Sequence, residues 1–136
     1  MLKTGPDAPV TRVADKARTV GDMFRLRAHS SWSNPALFEK RSGTWESIAW
    51  GEFYDMARRA ASGLLELGLE SGDRVAILGP TQVPWCVYDM AAQLAGLVSF
   101  GIYPKQSPAQ ISYLLEHSDA KVVFVDEQEE LDHVLE

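Results

Sequence analysis

A single cysteine, Cys86, stands in the 136 residues. An internal disulfide is therefore excluded, and a lone thiol fits a reducing compartment. Histidine is scarce: His29, His117 and His133 lie far apart, and none has a second ligand at metal spacing. There is no basic excess. Thirteen Lys and Arg stand against nineteen Asp and Glu, and a net charge of −6 argues against a general nucleic-acid binder. No two glycines are separated by one residue, so a G-x-G-x-x-G dinucleotide fingerprint cannot occur. A Gly-x-x-x-x-Gly-Lys-Ser/Thr phosphate loop and a Gly-x-Ser-x-Gly nucleophile elbow are missing too. The most apolar span, Trp85 to Tyr103, is broken by Asp89, Gln93, Gly96 and Gly101. It reads as a buried helix followed by a buried strand, not as a transmembrane segment. Met1 to Val10 has no apolar stretch of the signal-peptide kind. A soluble, cytoplasmic chain is expected.

What is present is enough for a core. Hydrophobic residues make up 46% and aromatics 10%, too much for disorder. The negative charge is local. Asp126, Glu127, Glu129, Glu130, Asp132 and Glu136 crowd the end, and without these six the acids and bases balance. The plain reading of that run is a solvated helix face.

Residues 1–18 read as an extended lead-in. Thr19 suits the cap of a helix reaching about His29, which Asn34-Pro35 ends. Residues 36–40 and 44–48 flank Arg41-Ser42-Gly43, a hairpin pattern. Trp50, Phe53, Tyr54, Ala57, Ala61, Leu64 and Leu65 form one apolar helical stripe. Gly68 stands where a left-handed residue stops it, with Leu69 beside Leu64. Strands are expected at 74–78, 98–103 and 121–125. Helices lie between them, the second opened by Ser107-Pro108-Ala109-Gln110, a capping-box pattern. The fold class is α/β: a parallel sheet flanked by helices, preceded by a helix and a β-hairpin. Right-handed crossovers would set the strands side by side.

Ligands of such sheets bind beyond the carboxyl ends of the strands. Thr81, Tyr103 and Lys105 occupy those ends and are the candidate cleft-facing residues, with ordinary turn residues as the plain alternative. Cys86 has no neighbouring base and reads as a small core residue. His117 fits a helix carboxyl terminus better than a metal site. Asp126 after an apolar strand suggests a phospho-acceptor, but the further acids and the lysine of that arrangement are lacking.

The order of these pieces carries a resemblance. Ser47-Ile48-Ala49-Trp50-Gly51-Glu52-Phe53 resembles the first core motif of the adenylate-forming (AMP-binding) enzymes. Gly68 to Ile77 resembles their Gly-apolar-x-x-Gly-Asp-Arg-Val-Ala passage. Trp85, Ala91 to Gly96 and Ile102-Tyr103-Pro104 resemble the second motif, and Ser107 to Asp126 the segment after it. The Tyr103-Pro104 ending looks most like the long-chain fatty-acyl-CoA synthetases. Ala49, Thr81 and Pro84 depart from the family pattern, and the loss of a hydroxyl cap at Ala49 implies a cost of about 1 kcal/mol.

The resemblance implies that residues 19–136 are the N-terminal portion of an AMP-binding ligase domain, a partial subdomain with the remainder expected after 136. Such ligases use ATP and magnesium to make an acyl-adenylate, then transfer the acyl group to coenzyme A. Those cofactors are implied for the full-length family and none for this segment. The implied nucleotide and catalytic motifs lie downstream, so no catalytic, cofactor-binding or metal residue carries over, and the segment alone is expected to be inactive. Its partner would be the remainder of the ligase chain, with self-association through exposed apolar surface when isolated. The competing expectation is a free-standing non-catalytic α/β module that binds a partner or small ligand.

Overall fold

The computed structural model describes residues 17–135. Of the expected lead-in, only residues 17 and 18 fall among them. The elements are α1 (Val20–Ser30), β1 (Pro35–Arg41), β2 (Thr44–Ala49), α2 (Trp50–Glu66), β3 (Arg74–Leu78), α3 (Val83–Leu94), β4 (Val98–Ile102), α4 (Pro108–Ser118), β5 (Ala120–Val125) and α5 (Gln128–Leu135). Two compact units divide between Met56 and Ala57, inside α2.

The first unit is built on aromatic rings. Thr19 caps α1, its hydroxyl accepting from the Asp22 N–H at 3.0 Å. Buried Phe24 meets Phe53 edge-on at 4.8 Å and lies 6.2 Å from the Trp50 ring. β1 and β2 form an antiparallel hairpin in which Arg41 pairs with Thr44. Ser42 and Gly43 both have positive φ, 48° and 85°, as a two-residue turn matching strand twist requires. The start of α2 departs from expectation in an instructive way. Glu52 accepts from the Ala49 N–H at 2.8 Å, and the Trp50 and Gly51 N–H groups donate to Asn34 and Trp32 carbonyls at 3.0 and 2.9 Å. Three donors at the helix start are thus satisfied without a capping hydroxyl at Ala49, which offsets the expected cost. Gly51 gives clearance there: a Cβ would stand 2.4 Å from the Trp32 ring, which would have to move.

The second unit is aliphatic. Gly68, at φ 87°, ends α2, and the Leu69 and Gly68 N–H groups donate to the Leu64 and Leu65 carbonyls at 3.3 and 3.0 Å. The three remaining strands are all parallel in the order β4-β3-β5. β3 is central and lies beside both others, so β4 and β5 are not side by side: the connection through α4 carries the chain past β3 to the far edge. The physical reason is burial of β3 on both sides. Val75 packs with Ala61, Leu64, Leu69, Ala91, Ala92 and Leu97 on the face covered by α2 and α3. Ala76 and Leu78 pack with Ile102 and Ile111 on the opposite face, under α4, where Val134 of α5 joins them. A strand whose last four residues, Val75–Leu78, are all apolar and buried belongs in such a double-covered centre.

Caps finish these elements. Ser107 and Gln110 form the reciprocal capping box of α4, with Pro108 in the first turn. Asp119, at φ 52°, ends that helix, and its carboxylate pairs with both Arg74 and Lys121. The hydrogen bond from Lys121 leads in holding this carboxyl below the usual range, with the nearby Arg74 charge adding to it. His117 lies in the last turn, stacked on Tyr113 with centroids 5.4 Å apart. The acidic run is not wholly solvated: Glu130 is buried and accepts from the Asp126 and Glu127 N–H groups at 3.2 and 2.9 Å. One of the six charges therefore caps α5.

Candidate functional site

Three loops leave the carboxyl ends of the parallel strands: 79–82 after β3, 103–107 after β4, and 126–127 after β5. The loops after β3 and β4 lead to helices on opposite faces of the sheet, which opens a crevice between these strands. There a cavity of about 230 Å³ is lined by Gly79, Thr81, Trp85, Gly101, Ile102 and Tyr103. A narrower slot of about 20 Å³ lies between β3 and β5, bounded by Pro80, Tyr88, Phe124 and Asp126 among others. The slot has room for roughly one water molecule. The cavity approaches the lower end of known ligand pockets, which begin near ~300 Å³.

Trp85 shapes both spaces. Its side chain heads a stripe on α3 at four-residue spacing, Trp85, Asp89 and Gln93, that faces β4. Asp89 accepts from the Ser99 hydroxyl, and Gln93 Nε2 donates to the same hydroxyl at 3.2 Å. These bonds clamp α3 to β4 one turn and two turns beyond the indole. Trp85 itself lies flat enough against the strand that a Cβ at Gly101 would stand 3.1 Å from its ring. A strand glycine there lets the backbone and the ring approach. On the β5 side Tyr88 stacks on Phe124 with centroids 3.9 Å apart and planes 6° apart. A Cβ at Gly79 would stand 3.0 Å from the Asp126 Cβ, so the β3 and β5 loops touch.

Of the sequence candidates, Thr81 and Tyr103 come together in the cavity lining, and Tyr103 is 80% exposed at its mouth. Lys105 is exposed in the β4–α4 loop and does not line the cavity. Trp85 and Gly101 were not among the candidates, although a glycine inside an apolar strand was the available signal. Two hydroxyls and an apolar wall can orient a ligand, but the lining holds no carboxylate, imidazole or thiol for proton transfer or attack. Cys86 is no exception. Burial first, then the Asp89 charge, pushes its thiol up, away from the reactive thiolate.

The chain matches the family described as AMP-binding enzyme over residues 24–136. It belongs to that family. A bovine relative named long-chain-fatty-acid–CoA ligase ACSBG1 is 36% identical over 118 residues, covering 87% of this chain and 16% of the relative. The rat ligase ACSBG2 is 31% identical over 117 residues, covering 86% and 18%. Among solved structures, a Mycobacterium tuberculosis fatty acyl CoA synthetase superposes with a TM-score of 0.77 at 29% identity, covering 89% of this chain and 24% of that one. The N-terminal domain of FACL13 from the same organism gives 0.72 at 31% identity, covering 79% and 26%. The chain thus spans less than a fifth of those curated relatives and matches N-terminal domain structures of the adenylate-forming fold.

The nucleotide and magnesium of that family find no fitted set among the described residues. No three His, Cys, Asp or Glu side chains gather in a metal-binding group. Pro80 and Pro104 each withdraw a backbone donor from the loops that edge the cavity.

Proposed function

We propose that this chain is the N-terminal scaffold of an AMP-forming acyl-CoA ligase acting on long-chain fatty acids. In that reaction a carboxylate attacks ATP, releasing pyrophosphate, and the acyl-adenylate then yields its acyl group to the coenzyme A thiol, releasing AMP. The similarity to ligases named for long-chain fatty acids supports the substrate class. The cavity supports the role assigned to this segment: an apolar wall with two hydroxyls and no carboxylate, imidazole or thiol orients and does not catalyse. The chain's partner is the remainder of the ligase polypeptide, and the chain alone is inactive. A reducing, cytoplasmic setting is part of the proposal, supported by the lone half-buried thiol of Cys86.

A chimera tests the reading. Residues 24–136 would replace the matching segment of the bovine ACSBG1 ligase, and acyl-adenylate and acyl-CoA would be followed by mass spectrometry. The expected result is a soluble ligase that retains both half-reactions. A chimera that unfolds with the parent's cooperativity yet forms no acyl-adenylate would overturn the scaffold assignment.

A further inference from the structure

In the otherwise apolar helix α3 the only carboxylate and the only carboxamide are Asp89 and Gln93. Both converge on one hydroxyl of β4. Ser99 donates to Asp89 at 2.5 Å and accepts from Gln93 at 3.2 Å, so the hydroxyl is used in both directions. All three side chains are half-buried. An apolar pair would fill the same gap with contacts that tolerate sliding. Polar groups drawn out of water must keep their bonding geometry, so this rung fixes α3 against β4 in one register.

That register decides where the indole lies. α3 connects two parallel strands and so runs opposite to β4. Asp89 and Trp85 are four residues apart, about 6 Å along a helix. Ser99 and Gly101 share a face of β4 and stand about 6.6 Å apart along the strand. The two spacings agree to within about 1 Å, so a helix pinned with Asp89 at Ser99 brings Trp85 to Gly101. Gly101 is where the ring can arrive, since even a Cβ there would stand 3.1 Å from it. We propose that Asp89, acting through Ser99, is a positioning residue for the crevice between β3 and β4. It holds the Trp85 indole against Gly101 and thereby sets the width of the cavity that Thr81 and Tyr103 also line. Asp89 lies outside that lining, so its action is indirect. The consequence for the reaction rests on the ligase reading above; the placement of the indole does not.

The test has two arms. In the first, the 136-residue chain is labelled with fluorotryptophan and followed by fluorine NMR. The Trp85 resonance is the one lost in Trp85→Phe. Asp89→Ala and Ser99→Ala should each move it by more than its linewidth, and the double variant should move it no further. Ser99→Thr keeps the hydroxyl and should keep the parent shift. If Asp89→Ala unfolds the chain, as the Trp32, Trp45 and Trp50 resonances would reveal, Ser99→Ala decides. An unmoved resonance, or shifts that add in the double variant, would overturn the positioning role. In the second arm, Asp89→Ala is placed in the ACSBG1 chimera, and Michaelis constants are measured separately for ATP, palmitate and coenzyme A. The constant for palmitate or for coenzyme A should rise roughly tenfold, with kcat and the ATP constant within about twofold of the parent. A fall in kcat alone, a rise in the ATP constant alone, or no change would overturn the role in the reaction. An inactive parent chimera would count against the ligase reading, and the first arm would still test the clamp.

Discussion

The two units of this chain solve the same problem, burial, with different materials. The first gathers Phe24, Trp50, Phe53 and Tyr54 around one helix start and leaves a hairpin largely in water. The second threads one strand between two aliphatic layers, and its apolar residues Val75–Leu78 are all buried. Ring packing depends on a few large contacts and on the glycine that admits them. Layered aliphatic packing depends on many small ones. The second unit should therefore respond to loss of volume and the first to loss of clearance.

The largest effect is expected in the aliphatic unit. Leu64→Ala removes a side chain that is only 2% exposed, and should cost about 2–5 kcal/mol in chemical denaturation. A cost under about 1 kcal/mol would mean that the layer is loosely packed. Next comes Gly51→Ala in the aromatic unit, whose new Cβ must displace the Trp32 ring. Because Trp32 is 44% exposed and has somewhere to go, the cost should be smaller, about 1–2 kcal/mol. Pairing it with Trp32→Ala should recover part of that loss, and strict additivity in the double-mutant cycle would show that the clearance argument is wrong.

Local signals made much of this readable in the residues. The Ser107 and Gln110 box, the Gly68 stop and the Ser42-Gly43 turn are decided within a few residues of chain, and the structure shows all three. The strand order was not readable, since β4-β3-β5 depends on which face α4 chooses, a choice made by packing over the whole sheet. Glu130 was hidden inside a run of like charges because its partners are backbone N–H groups, which composition does not display. The cavity was half legible. Strand ends pointed to Thr81 and Tyr103, but the Trp85 wall depends on a contact with Gly101 across sixteen positions of sequence.

Smaller effects sharpen the contrast. Asp119 holds the amino-terminal ends of β3 and β5 through Arg74 and Lys121, and its carboxyl lies below the usual range. Its contribution should be complete above the ordinary aspartate value of about 3.9 and be lost as pH falls through the lower folded value. Asp119→Asn, which tolerates the same left-handed backbone, should flatten that part of the stability–pH curve and remove its salt dependence. An unchanged acid limb would show the pairs to be idle. Gly101→Ala should change stability by less than about 1 kcal/mol, because the neighbouring ring need shift only a few tenths of an ångström. Its readout is the Trp85 indole, whose fluorescence quenching by acrylamide should change; identical quenching would place the ring elsewhere.

The central claim is that this segment builds and walls a crevice without carrying the chemistry. The most direct measurement incubates the 136-residue chain with ATP, magnesium, palmitate and coenzyme A and follows acyl-adenylate and acyl-CoA by mass spectrometry. The account predicts neither product above the protein-free control. Acyl-adenylate that rises in proportion to the amount of purified chain would contradict it.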